Sequence, residues 1–138
     1  MAARPACRLS KANITAKAVV TAPVERYRAV SLSTSDSQVA YTAAGGAAYG
    51  FTLEAGAVGA VIPVVVTGCG ETTRVKVGTG GATRGSWAVV VGAAGEVTNA
   101  AALGGGTVAR NIVGKFEETG VAGDEVGLVL IAFTGASA

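Results

Sequence analysis

Tyr49-Gly-Phe-Thr-Leu-Glu-Ala-Gly-Ala-Val-Gly59 and Val113-Gly-Lys-Phe-Glu-Glu-Thr-Gly-Val-Ala-Gly123 follow one pattern, 64 residues apart. Gly50, Glu54, Gly56 and Gly59 match Gly114, Glu118, Gly120 and Gly123. Each copy then runs into a β-branched stretch, Val61 to Val66 and Val126 to Ile131. Upstream, Ala29-Val30 and Leu32 match Ala88-Val89 and Val91, and Val39 matches Val97. The repeated unit reads as strand, turn, strand, loop, glycine-led strand, loop, strand. Two such units side by side bury a face that neither buries alone.

The segments between carry the same rhythm. Tyr27 to Ser33 alternates, with Arg28, Val30 and Leu32 on one side, and Gln38 to Thr42 returns after the Ser35-Asp36-Ser37 turn. Tyr49 to Leu53 and Val61 to Thr67 follow, the latter holding Pro63, which predicts an edge strand or a bulge. Thr73 to Val77 and Ser86 to Val91 form a candidate hairpin across the glycine-rich loop 78–85. Gly92 to Gly95 turns that chain onto Glu96 to Thr98. One short helical stretch is expected at Asn99 to Leu103, and Val108 to Phe116 and Val126 to Phe133 end the series. Strands this evenly spaced predict an all-β fold, a compact barrel or sandwich.

Composition narrows the function. Ala, Gly and Val supply 70 of 138 residues, Leu and Ile only ten, and charged residues 14%, which excludes a helical bundle. Histidine is absent, removing His-based triads and His metal sites. A net charge of +2 is too mild for nucleic-acid binding. Its distribution is uneven: Arg4, Arg8, Lys11 and Lys17 fall in residues 1–24 without an acid, predicting a basic N-terminal arm ahead of a single β-rich domain at 25–138. The longest apolar run, Val58 to Val66, is too short to span a membrane, and the basic N-terminal residues, with no continuous hydrophobic region after them, are not expected to act as a secretory signal. Cys7 and Cys69 fit a reducing compartment better than a disulfide framework, with their pairing left open.

Individual candidates for chemistry have better structural explanations. The 78–85 loop lacks the Gly-Lys-Ser/Thr ending and the following helix of a phosphate loop, so a flexible hairpin tip or a contact loop is expected. Cys69 has no histidine to activate it. Glu117-Glu118 and Asp124-Glu125 fit no calcium-loop spacing and are read as solvated turn charges. No catalytic residue, metal site or cofactor is expected. Trp87, the sole tryptophan, is expected to pack in the core or at an interface between copies.

The glycine-led segment Gly50 to Val66, the stretch Gly78 to Glu96, and Val113 through Gly123-Asp124-Glu125-Val126 to Leu130 resemble the small capsid decoration, or cement, proteins of tailed bacteriophages. The resemblance covers about residues 27–133, and the basic arm has no counterpart in it. It implies a homotrimer on the outer capsid surface, made in the host cytoplasm and seated at junctions between major capsid protein subunits. The implied role is non-enzymatic: stabilising the shell against packaged DNA. Contact residues on that reading are Arg4, Arg8, Lys11 and Lys17 of the arm, Arg84 of the glycine-rich loop and Trp87. The alternative is a carbohydrate-binding or adhesive β module on a phage tail or cell surface.

A core of Ala, Val and Gly removes little apolar area per side chain, so a lone copy is marginal and association supplies the missing burial. Dilution is therefore expected to lower the melting temperature; a melt independent of concentration contradicts this.

Overall fold

The computed structural model describes residues 15–68, 70–103 and 109–136. Among these residues the structure is all-β apart from one 3-10 turn, Ala100–Leu103, where the short helical stretch was expected. Five strands, β1 (Thr15–Val20), β2 (Ala29–Leu32), β3 (Gln38–Tyr41), β4 (Gly50–Thr52) and β5 (Val61–Val66), form a closed barrel in the order β1-β3-β2-β4-β5. A second unit contains β6 (Thr72–Lys76), β7 (Trp87–Val91), β8 (Glu96–Asn99), β10 (Gly114–Phe116) and β11 (Glu125–Val129) in the order β6-β11-β10-β7-β8. β9 (Ala109–Ile112), which lies between β8 and β10 in sequence, pairs with β12 (Phe133–Ala136), which follows β11, as a two-stranded sheet.

The second unit, called barrel 2 below, repeats the strand order of the first, barrel 1, but as a five-stranded sheet whose end strands β6 and β8 share no ladder. Its outer strands are joined by a single parallel bridge, Val77 to Val97, which stands where Val20 meets Val39 in barrel 1. The loop ties are duplicated too. Val24 and Gly56 exchange two backbone hydrogen bonds, as do Ala82 and Gly120. Gly59 donates to the Val20 carbonyl and Gly123 to that of Val77. Registers fix the equivalence: Val30 faces Gly50 and Ala88 faces Gly114, while Leu32 faces Val39 and Val90 faces Val97. The upstream match read from sequence thus slips by one residue at β2, where Val30 and Leu32 correspond to Ala88 and Val90.

Each barrel interior is filled by side chains. In barrel 1 the packed set is Ala18, Val20, Val24, Val30, Val39, Ile62 and Val64. Their equivalents Val75, Val77, Ala82, Ala88, Val97, Val126 and Leu128 are all buried together in barrel 2. Shared backbone geometry explains the shared glycines. A Cβ on Gly50 would lie 2.4 Å from the Val65 carbonyl oxygen, and one on Gly114 would lie 2.4 Å from that of Val129. No other residue fits so close a crossing of β4 over β5, or of β10 over β11.

The two barrels differ where they meet. In barrel 1 the seam between β1 and β3 is zipped, with the Val19 amide donating to the Ser37 carbonyl at 2.7 Å. At the equivalent place in barrel 2, the Tyr27–Ala29 segment wedges between β6 and β8. The Lys76 amide donates to Tyr27 (2.9 Å), and the Ala29 amide donates to Gly95 (2.8 Å). Gly95 is required there, since a Cβ would come within 2.4 Å of the Ala29 oxygen and its φ is +69°. Ala29, Phe51 and Val65, on the outside of barrel 1, complete the core of barrel 2. Arg28, 8% exposed, clasps the joint: its guanidinium donates to the Ala94 carbonyl at 3.0 Å and to Glu25 at 2.6 Å.

Several sequence expectations change. Residues 15–24, read as the end of the arm, supply β1 and the buried Ala18, Val20 and Val24. β6 and β7 are not a hairpin; β6 pairs with β11, and β7 with β8 and β10. The 78–85 loop is no hairpin tip either, because it is stitched along barrel 2 at Gly78, Ala82 and Gly85. The two last predicted strands each break into two, giving the separate β9–β12 sheet. Pro63 is not on an edge, for β5 has partners on both sides. Its carbonyl accepts from the Leu53 amide just past the end of β4, and its nitrogen, which carries no hydrogen, points the same way, so the ladder hydrogen bond it cannot donate falls where β4 stops.

Gly114→Ala and Gly95→Ala are each expected to cost about 2 kcal/mol or more, from overpacking at the strand crossing and at the seam. Chemical denaturation measures both. Gly92→Ala, at a glycine of φ +71° with nothing within 4 Å, should cost only the left-handed backbone penalty of about 1 kcal/mol.

Candidate interaction surface

The outward stations of β2, β4 and β5 have counterparts on β7, β10 and β11. Ala29, Phe51 and Val65 lie side by side in register and are buried by barrel 2. The same stations in barrel 2 hold Trp87, Lys115 and Val129, also side by side. Here they face outward: Trp87 is 39% exposed, Lys115 is exposed and Val129 is half-buried. The Lys115 ammonium stands 4.9 Å from the centre of the Trp87 ring, a cation–π contact worth about 0.5–1 kcal/mol at an exposed site.

Arg84 joins this face from the preceding turn. Its backbone amide donates to the Thr119 hydroxyl at 3.1 Å, and its side chain is exposed. Together with Lys115, Glu117, Glu118 and Val129 it lines a shallow depression of about 510 Å3. The structure thus brings two of the expected contact residues, Arg84 and Trp87, onto one face, linked through Lys115. Lys115 itself was missed in the sequence; the signal was its match to Phe51 in the repeat. Trp87 belongs to a surface and not to the barrel core. Arg4, Arg8 and Lys11 lie outside the described residues, as do Cys7 and Cys69. Lys17 is placed by its backbone in β1, opposite Pro63.

The acidic residues beside this face are engaged with the fold. Glu118 accepts from the Gly127 amide at 2.8 Å and pairs with Arg74 at 3.3 Å. Glu117 accepts from the Thr72 hydroxyl. Asp124 accepts from the Val121 amide, and Glu125 pairs with Arg26 across the two barrels. They tie turns and strands together, where the sequence suggested solvated charges alone. Among the described residues no group of three or more acids and cysteines is placed to hold a metal ion. No helix among them is long and apolar enough to cross a membrane. The face offers one aromatic ring, two cations and an aliphatic side chain on a rigid sheet, which is chemistry for holding an acidic, partly apolar protein surface.

No protein-family model and no curated protein matches the chain. Among solved structures it is similar to the N base of the head fiber gp8.5 of bacteriophage phi29. The TM-score is 0.64 and the identity 16%, over 85% of this chain and 92% of that one. The likeness is one of fold. It spans both barrels, because 85% of the chain exceeds what either unit contains.

Trp87 makes this face spectroscopically visible. Lys115→Ala is expected to lower stability by under about 1 kcal/mol and to increase quenching of Trp87 fluorescence by acrylamide, read in a titration of the folded protein.

Proposed function

We propose that the protein is a structural component of a phage virion, attached to the exterior of the capsid and acting by binding alone. The observation that carries this reading is the fold shared with the phi29 head-fiber base over nearly the full length of both chains. The finer reading is that of a cement protein. Copies assemble as homotrimers, seat on major capsid protein at junctions between its subunits, and brace the shell against internal DNA pressure. Three copies bound at one junction make weak contacts additive through effective concentration, a gain of about 10²–10⁴ in avidity. The Arg84–Trp87–Lys115 face and the basic residues Arg4, Arg8, Lys11 and Lys17 are the contacts this role calls on. Such a protein needs rigidity and complementary surface, and no reaction to catalyse.

An electron-microscopy map of native particles tests the attachment. Density for the paired barrels on the outside of the shell is expected. Its absence from particles that carry the protein by mass spectrometry, together with binding on a glycan array, would replace this reading with the carbohydrate-binding one.

A further inference from the structure

The chain contains a worked example of how one of its barrels docks on another, and each barrel keeps one half of that contact uncovered by the other barrel. We propose that a second copy of the chain docks head to tail, its barrel 1 end resting on the Arg84–Trp87–Lys115–Val129 face of barrel 2. This deepens the self-association in the reading above and rests on that part of it, not on capsid attachment.

The internal contact defines two faces. Its front is the outer side of barrel 1, made by Ala29, Phe51 and Val65 with Arg26 at the margin. Its back is the end of barrel 2, rimmed by Lys76, Val90, Gly95 and Glu125. Gly95 and Lys76 hold the wedge, the Gly45 amide donates to Val90, and Glu125 pairs with Arg26 at 3.5 Å. Barrel 2 carries its own front in Trp87, Lys115 and Val129, with Arg84 where barrel 1 has Arg26. Barrel 1 carries its own back in Val19, Leu32, Ser37 and Val61, the equivalents of Lys76, Val90, Gly95 and Glu125.

Exposure separates the used back from the unused one. Val90 is fully buried, whereas Leu32 is 62% exposed, and Val61, also in barrel 1, is 61% exposed. Leu32 and Val61 thus leave apolar surface open at the end of barrel 1, where the counterpart of Leu32 in barrel 2 is covered. Charge agrees. The exposed Asp36, in the turn that corresponds to Ala94, brings a carboxylate to the end that would meet Arg84 and Lys115. One difference sets the strength. The barrel 1 seam is already closed by the Val19–Ser37 hydrogen bond, so a docking copy packs side chains and adds no wedge. The contact between copies is therefore weaker than the internal one and depends on concentration. A head-to-tail contact of this kind closes into a ring if its rotation allows; closure after three copies gives the trimer.

The test uses the full chain, measured by light scattering and sedimentation at several concentrations. Wild type is expected to assemble beyond monomer. Leu32→Glu, at the back, and Lys115→Glu, at the front, are each expected to be folded monomers by circular dichroism. Mixed in equal amounts they should form one-to-one dimers, because an intact front then meets an intact back. If either variant does not fold, Val61→Glu replaces the first and Arg84→Glu the second. A wild type that stays monomeric, single variants that assemble as wild type does, or a mixture that remains monomeric would overturn the proposal. Binding to capsids is scored separately, so a monomer that still coats particles sinks this inference and leaves the virion reading standing.

Discussion

Everything in this molecule depends on three residues of β2 and its approach, Tyr27 to Ala29, occupying a gap in the neighbouring barrel. Strand edges with unanswered amides and carbonyls are costly when buried, so a five-strand barrel either zips completely or is completed from outside. Barrel 1 zips. Barrel 2 is completed by barrel 1. That single asymmetry turns two similar units into one body and buries Ala29, Phe51 and Val65. It also places Gly95 under a backbone that tolerates no side chain. The chain accepts some strain to do it, since Tyr27 holds a left-handed φ of +62° where its counterpart, Gly85, does so without penalty.

Small side chains follow from the same geometry. Barrels this narrow are filled by Val and Ala from alternate positions, and a larger residue at Val30 or Ala88 would meet the opposite wall. Each side chain then contributes modest burial, and two barrels sharing a wall recover some of what either lacks. The remaining large residues mark special places. Phe51 and Phe116 are buried, and Trp87 lies on the outer sheet of barrel 2.

Most of this was legible in the chain because the repeat is written in glycines, and glycines report backbone constraint. Gly50 with Gly114 and Gly56 with Gly120 located strand crossings and loop ties that the structure places identically. The β2–β3 and β7–β8 hairpins were readable from their turns. Other features were not. β1 was hidden because Ala16 to Val20 sits among basic residues that read as an arm, and its strand character comes from β3 and β5 on either side. The pairing of β6 with β11 joins residues about fifty apart, which local pattern cannot reveal. Lys115 at the candidate surface looked like an ordinary strand charge until Phe51 defined what its station does in the other barrel.

The wedge also gives the chain an order of assembly. All five staves of barrel 1 precede β6 in sequence, so the first barrel can finish while the second is still being synthesised. Two look-alike units in one polypeptide invite strand exchange, with β4 captured by β11 or β10 by β5. A template already closed offers no vacancy to a wrong stave and presents the later barrel with the one segment it lacks. The difference between the seams acts as proofreading for the fold.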